Sequence, residues 1–271
     1  MDTSKNTVLI TGGTSGIGIE LAKQLLDLGN TVIVTGREES RLEETKKRLP
    51  HVHTIQSDVS DPEAIARLFD QATHAFPNLN VLINNAGVMR KINLQSRSAS
   101  LLNITSEVET NLMGPIWMVQ QFLAHLKAQP SAAIVNLSSG LAFVPMSIAP
   151  IYCATKAGIH SYTQSLRIQL RKTNVRVFEL APPGTDTPLF YGDFTAEDKG
   201  GVKPMNVETL VQHAIKGLRN DTFEIRPGLS NILKLMSRIA PQFIAKQLGK
   251  SATNMIEKEE DVASRASISP H

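Results

Sequence analysis

The chain has 271 residues, 41% hydrophobic and 20% charged, enough apolar material for a sizeable core, which excludes disorder throughout. Its 28 Lys and Arg against 25 Asp and Glu leave a formal charge of +3 without a dense basic cluster interleaved with aromatics, so nucleic-acid binding is not expected. The single cysteine, Cys153, excludes an internal disulfide and a thiolate zinc cluster, and no His/Cys/carboxylate grouping has metal-ligand spacing, so no metal is expected.

In chain order, short β-branched runs alternate with longer helical patterns. Residues 7–11 read as strand and 17–28 as helix, 31–35 as strand and 38–49 as helix, 52–57 as strand and 62–75 as helix. A strand at 81–83 precedes a long helix at about 101–128; strand 132–137, helix 154–172, strand 175–180 and a last strand at 223–225 follow. Strands alternating with helices of this length require crossover connections, so the expected fold is α/β, a single doubly wound parallel sheet of Rossmann type over 1–250. In such a sheet ligands bind beyond the carboxyl ends of the strands. Residues 251–271 are polar and short of large apolar side chains, and read as a loosely held tail. The opening Met-Asp-Thr-Ser-Lys-Asn lacks the features of a secretion signal, and no window approaches the roughly 20 apolar residues of a membrane span. The expected location is cytoplasmic.

The first strand ends in Thr11-Gly12-Gly13-Thr14-Ser15-Gly16-Ile17-Gly18 and passes directly into a helical pattern. Glycines 12, 16 and 18 permit a tight turn, close approach of backbone to a pyrophosphate and close helix–sheet packing, while the helix N-terminus offers free N–H groups to negative charge. Any strand-to-helix turn tolerates glycine, so this reading needs support from elsewhere. Asn84-Asn85-Ala86-Gly87 follows the fourth strand, Asn111 lies inside the long helix, Ser138-Ser139 ends the fifth strand, and Tyr152-Cys153-Ala154-Thr155-Lys156 opens the next helix. In order and position these motifs, from about residue 7 to 187, resemble the short-chain dehydrogenase/reductase family.

The resemblance implies a nicotinamide dinucleotide held by Gly12, Thr14, Ser15, Gly16, Ile17 and Gly18, with Asn85, Ala86 and Gly87 shaping the cofactor side of the cleft. A carboxylate about 20 residues past the loop favours NAD, but strand two here ends Thr35-Gly36-Arg37. Arg37 offers a planar, permanently charged fork to a 2′-phosphate, so NADP(H) is expected over NAD(H); a solvated surface charge beside Glu38 and Glu39 is the alternative. Asp58 and Val59 fall where the family binds adenine, with a helix N-cap as the competing role for Asp58 and Asp61 as a rival for that duty. After strand six, Pro182 and Thr187 match the family's nicotinamide contacts if Pro183 takes the usual glycine position; a second register uses Pro183-Gly184.

Tyr152 and Lys156, four apart, share one helix face. A phenol is too weak an acid to exchange protons readily at neutral pH unless a fixed cation stabilises its anion, and Lys156 supplies one. By resemblance Lys156 also holds the nicotinamide ribose, Ser139, thirteen residues before Tyr152, orients the substrate oxygen, and Asn111 links Lys156 to solvent through water. The reaction implied is hydride transfer between NADP(H) and a small-molecule carbonyl or alcohol, with Tyr152 as acid/base. A serine hydrolase is disfavoured because Ser139 lies outside a Gly-x-Ser-x-Gly elbow. A sugar-nucleotide epimerase or dehydratase on the related extended scaffold prefers a different glycine loop, and a non-catalytic dinucleotide sensor leaves the Asn-Ser-Tyr-Lys group unexplained.

The substrate side is expected between Leu141, Phe143, Val144, Pro145, Met146 and Ile148 on one hand and a lid at about 188–205, with Leu189, Phe190, Tyr191 and Phe194, on the other. That composition favours an apolar substrate. His160, one turn past Lys156, is expected to pack in a helix interface. The basic amphipathic stretch 229–248 is expected to cover the pocket or a neighbouring subunit rather than a membrane. A homodimer or homotetramer is implied by the resemblance, with Gly114, Ala124, Ile159, Tyr162 and Leu166 as contact positions.

Overall fold

The structure, a computed structural model, describes residues 1–95 and 100–249, so the tail at 251–271 lies outside the described residues. Runs such as Val8-Leu9-Ile10 and Val32-Ile33-Val34 are continuously apolar rather than alternating, the pattern of strands covered on both faces. They pair in parallel within a seven-stranded sheet built from β1 (Thr7–Ile10), β2 (Thr31–Gly36), β3 (His53–Gln56), β4 (Leu79–Asn84), β5 (Ala132–Leu137), β6 (Val175–Leu180) and β7 (Glu224–Ile225). The spatial order is β3-β2-β1-β4-β5-β6-β7. The chain therefore winds outward from β1 to β3 and returns to place β4 on the other side of β1. This reversal opens the crevice in which a ligand can sit.

Helices cover both faces. On one, α1 (Gly16–Asp27), α2 (Glu39–Arg48) and α8 (Val207–Arg219) bury Leu21, Leu25, Leu42, Leu210, Val211 and Leu218 against Val8, Ile10, Val32 and Val34. On the other, α3 (Pro62–Ala75), α5 (Gly114–Ala128) and α6 (Pro150–Gln169) bury Ile65, Leu68, Met118, Phe122 and Leu166 against Leu9, Ile33, Leu82 and Ile134. Neighbours on a strand point to opposite faces, and the two cores divide β1 in just that way. Further helices are α4 (Leu101–Val108), α7 (Pro188–Tyr191) and α9 (Leu229–Ile239), and residues 241–249 are also helical. No described helix is long and apolar enough to cross a membrane.

Three expectations need correction. The helix expected at 101–128 is interrupted by a π-helical segment, Glu109–Met113, between α4 and α5; hydrophobic periodicity cannot register one wide turn, and such turns concentrate at functional positions. The helix carrying Tyr152 begins at Pro150, four residues earlier than the pattern suggested, because proline suits the first helical position. Of the proposed subunit-contact positions, Gly114, Ile159 and Leu166 are buried within the protomer. A Cβ on Gly114 would meet the Val59 carbonyl oxygen at 2.6 Å. The outward face of α6 carries Ala154, Ala157, Ser161, Gln164 and Ile168 instead.

Candidate active site

One cavity of about 590 Å³ runs along the carboxyl edge of the sheet, from Arg37 and Asp58 at one end to Phe194 and Leu233 at the other. All the expected cofactor and catalytic residues line it except Gly18 and Asn111, which lie directly behind the wall. Gly12 adopts φ +64°, open to glycine at little cost. At Gly18 the constraint is space: a Cβ there would stand 2.4 Å from the Gly12 carbonyl oxygen and 2.6 Å from Asn85 Nδ2. Asn85 Nδ2 donates to the carbonyls of Thr11 and Gly12, both at 2.9 Å, and Thr11 Oγ1 accepts from the N–H groups of Asn85 and Ala86 at 3.0 and 3.1 Å. The glycine loop and the Asn-Asn-Ala-Gly loop are thus stitched into one floor. Ser15 at the N-cap of α1 makes no side-chain capping bond, so the first-turn N–H groups are not consumed by it. A glycine cradle beside an uncapped helix N-terminus fits a dinucleotide pyrophosphate.

At the far end of this half, Arg37 is 66% exposed, with Glu38 3.9 Å away. Glu38 is the N-cap residue of α2 rather than a first-turn residue, and it pairs with Arg41 Nε at 3.0 Å. Arg41 lines the same cavity, so two guanidinium groups flank this end; its one-turn spacing from Arg37 is the sequence signal for the second of them. Asp61 caps α3 by accepting from the Glu63 N–H. Asp58 is therefore no helix cap: its Oδ1 accepts from the Ser60 N–H and hydroxyl, and the residue faces the cavity.

The Ser-Tyr-Lys group assembles where β5 ends and α6 begins. Tyr152 is 6% exposed and shares the cavity wall with Ser139, which holds the phenol's pKa down and whose Oγ accepts from the Leu141 N–H at 3.1 Å. Lys156 Nζ donates to the Leu137 carbonyl at 2.9 Å and lies 5.6 Å from the Tyr152 ring centroid. Burial raises the phenol well above its usual range, only partly offset by Ser139, and burial lowers the lysine to about 8. In the chain by itself, burial outweighs the expected pull of Lys156 on the phenol. Asn111, in the π segment, pairs with Val88 like a strand neighbour: Oδ1 accepts from the Val88 N–H and Nδ2 donates to the Val88 carbonyl, both at 2.8 Å. Nδ2 also reaches Thr155 Oγ1 at 3.3 Å. A Cβ on Gly87 would meet Asn111 Oδ1 at 3.3 Å and Lys156 Nζ at 3.6 Å, so the bare backbone at 87 lets both side chains converge on one point.

Beyond β6, Pro182, Pro183, Gly184, Thr185 and Thr187 all line the cavity. No positive φ occurs at 183, so a proline fits the position where the family carries glycine. Thr187 lies against Gly16, whose Cβ would meet it at 3.3 Å, which sets it beside the phosphate turn. On the substrate side Leu141, Met146, Leu189, Phe190 and Phe194 line the cavity as expected. Val144 and Ile148 are core residues, Tyr191 is largely exposed, and Phe143 packs edge-on against His160. Phe194 is buried with Ile148, Ala149, Tyr152 and Cys153, which ties the 188–205 segment to the catalytic helix. Lys91 Nζ bridges both oxygens of the buried Asp198 at 2.9 Å, a second tie. From the basic stretch, Leu233, Gln247 and Leu248 reach the cavity wall, while Lys234 and Arg226 are spent on Glu224.

Sequence reasoning missed two buried acids. Glu179 on β6 accepts from the Ser138 hydroxyl at 2.5 Å and contacts His160 Nδ1 at 2.9 Å, so the Ser138 hydroxyl is engaged by β6 and His160 serves the helix–sheet interface. His160, Glu179 and Glu224 have ligand atoms within 4.8 Å of one another, a grouping that linear spacing hid; its Glu224 is already paired with two cations. Glu107, fully buried one turn before Asn111, accepts from the Arg90 N–H at 2.8 Å, while its other oxygen has no partner. Burial raises its pKa, and its charge would oppose the Tyr152 phenolate.

A doubly wound parallel sheet with a glycine cradle at its switch point and a buried Ser-Tyr-Lys group at the next strand end defines a Rossmann-type enzyme class. The short-chain dehydrogenase model matches residues 6–198. Among curated proteins, the chain is 46% identical over 227 residues to an uncharacterized oxidoreductase, DltE, of Bacillus subtilis, covering 83% of this chain and 89% of that one. It is 34% identical over 198 residues to sulfoacetaldehyde reductase 2 of Chromohalobacter salexigens, covering 72% and 76%. Two solved short-chain dehydrogenases share the fold: one from Burkholderia phymatum in complex with NAD (TM-score 0.78, 22% identity, 88% and 95% covered) and one from Burkholderia cenocepacia in complex with NADP (TM-score 0.79, 24% identity, 92% and 99% covered). The chain belongs to the short-chain dehydrogenase family and is by class an oxidoreductase.

Proposed function

We propose that the protein is an NADP(H)-dependent reductase or dehydrogenase acting on a carbonyl or alcohol whose flanking surface is largely apolar. The observation that carries this reading is the convergence of Ser139, Tyr152, Lys156 and Asn111 behind one cavity whose other half is a phosphate cradle. The dinucleotide, held by Gly12, Thr14 to Gly18, Arg37, Asp58, Val59, Asn85 to Gly87, Pro182 and Thr187, supplies hydride chemistry when bound. Ser139 orients the substrate oxygen. Because burial holds the Tyr152 phenol protonated, its O–H is ready to donate to that oxygen during reduction and takes the proton back during oxidation. Lys156 holds ribose hydroxyls and presents its charge to the phenol as the two groups are brought together. Asn111, fixed by Val88, keeps Lys156 in line with solvent for reprotonation.

The test is NADPH oxidation across aldehydes, ketones and quinones, with Tyr152→Phe as control: the variant keeps nucleotide affinity and loses turnover, and unchanged turnover removes Tyr152 from the mechanism. Cofactor choice is carried by Arg37 with Arg41. Replacing both by alanine lowers kcat/KM for NADPH about 10- to 100-fold with little change for NADH, the scale of two charge-assisted contacts to one phosphate. Equal specificity of the unaltered protein for NADH and NADPH refutes this role.

A further inference from the structure

We propose that Lys199 recognises an anionic group on the substrate, so that the molecule reduced or oxidised here carries a carboxylate, sulfonate or phosphate at the end remote from its reacting carbon. The inference rests on the carbonyl/alcohol reading of the cavity and adds the chemistry of the substrate's other end.

Charges along the cavity wall are mostly matched. Arg37 and Arg41 face Glu38, Asp58 is bound by Ser60, and Asp198 is held bidentately by Lys91. Lys156 donates to a carbonyl beside Tyr152. Lys199 also lines the cavity, yet it forms no ion pair among the described residues. Its ammonium lies 5.1 Å from the Phe190 ring centroid and 5.0 Å from that of Tyr191. Aromatic faces orient a cation without neutralising it.

The backbone bearing Lys199 is built rather than loose. The Thr195 N–H donates to Asp198 Oδ2 at 2.8 Å, the Asp198 N–H donates to Thr195 Oγ1 at 3.2 Å, and the Lys199 N–H donates to the Thr195 carbonyl at 3.3 Å. Lys91, from the segment after β4, anchors that turn. The same cavity is lined by the apolar side chains Met89, Leu141, Met146, Phe190 and Phe194, of which Met89, Leu141 and Met146 pack with Phe194 and Tyr152. A positive charge over a low-dielectric wall attracts an anion far more strongly than the same charge in open water. A cavity that holds Tyr152, these apolar side chains and an ammonium with no ion pair among the described residues fits a substrate that is apolar in its middle and anionic at its tail.

The experiment is calorimetric titration of the NADPH-loaded protein with hexanoate and with its neutral counterpart, hexanamide. Expected is tighter binding of hexanoate by about tenfold, the size of one partly desolvated ion pair. Lys199→Met should abolish that preference and Lys199→Arg should retain it. Equal affinity for the two probes, or a preference that survives Lys199→Met, overturns the inference. So does a Lys199→Met variant that loses affinity for NADPH while keeping its preference for hexanoate, which would assign the cation to the dinucleotide pyrophosphate. Because both probes are unreactive, the same preference measured in Tyr152→Phe stands or falls independently of turnover, and separates failure here from failure of the catalytic reading.

Discussion

The two halves of the cavity are made differently. The phosphate half is mainly backbone: the glycine loop and the helix N-terminus, braced by the Asn85 side-chain amide, all within β1, β4 and the turns that follow them. In the substrate half, side chains converge from 88–95, 139–156, 187–205 and the helices after β7, and are held by long-range ties such as Lys91 to Asp198 and Phe194 to Tyr152. A backbone-built site tolerates little change in volume and depends weakly on distant residues; a site assembled from loops can be retuned one side chain at a time.

This contrast is broken most severely where the halves meet. Tyr152→Phe should lower kcat by roughly 10²–10⁴-fold, the usual share of a general acid, with the dissociation constant for NADPH unchanged by fluorescence titration. A smaller loss would move proton transfer to another group. Gly18→Ala probes the rigid half: its Cβ has no room, so it should cost about 1–3 kcal/mol in thermal unfolding and weaken the dinucleotide in parallel. Unaltered affinity would show that the loop yields more than its packing implies.

A pH profile sharpens the same boundary. Burial lowers Lys156 to about 8, so the ammonium is present below that pH and lost above it. In the reducing direction kcat/KM, which reports groups of the free enzyme, should fall about tenfold per pH unit above 8; a flat profile to pH 10 would deny the ammonium its role. The smallest effect belongs to the loop-built half. Lys91→Met leaves Asp198 buried without its bidentate partner, and should raise the substrate KM several-fold with kcat nearly constant, since it loosens the 195–199 turn and not the reacting groups.

How much was legible in the sequence follows the same division. Alternating strand and helix patterns predict the doubly wound sheet, and the glycine loop, Asn85, Ser139, Tyr152 and Lys156 stand out because their motifs, in order and spacing, resemble those of the family. Asp58 could not be separated from Asp61 until the cap of α3 was seen, since both have the chemistry of an N-cap. Arg41 carries no such motif, and a helical arginine reads as a solvated surface charge, while composition places Phe143, Val144 and Ile148 in the pocket without saying which way a loop side chain turns.

Local backbone chemistry, which acts over a few residues, was determined by the sequence itself: fold class, phosphate turn, the tyrosine and lysine on one helix face. Tertiary structure alone decided what depends on pairing across many residues: Glu179 against Ser138 and His160, Glu107 beneath the catalytic helix, Asn111 clasping Val88 from a π turn, and Lys91 rather than Lys199 against Asp198. Burial and charge balance are properties of who the neighbours are, and the neighbours are chosen only when the sheet closes and its loops meet.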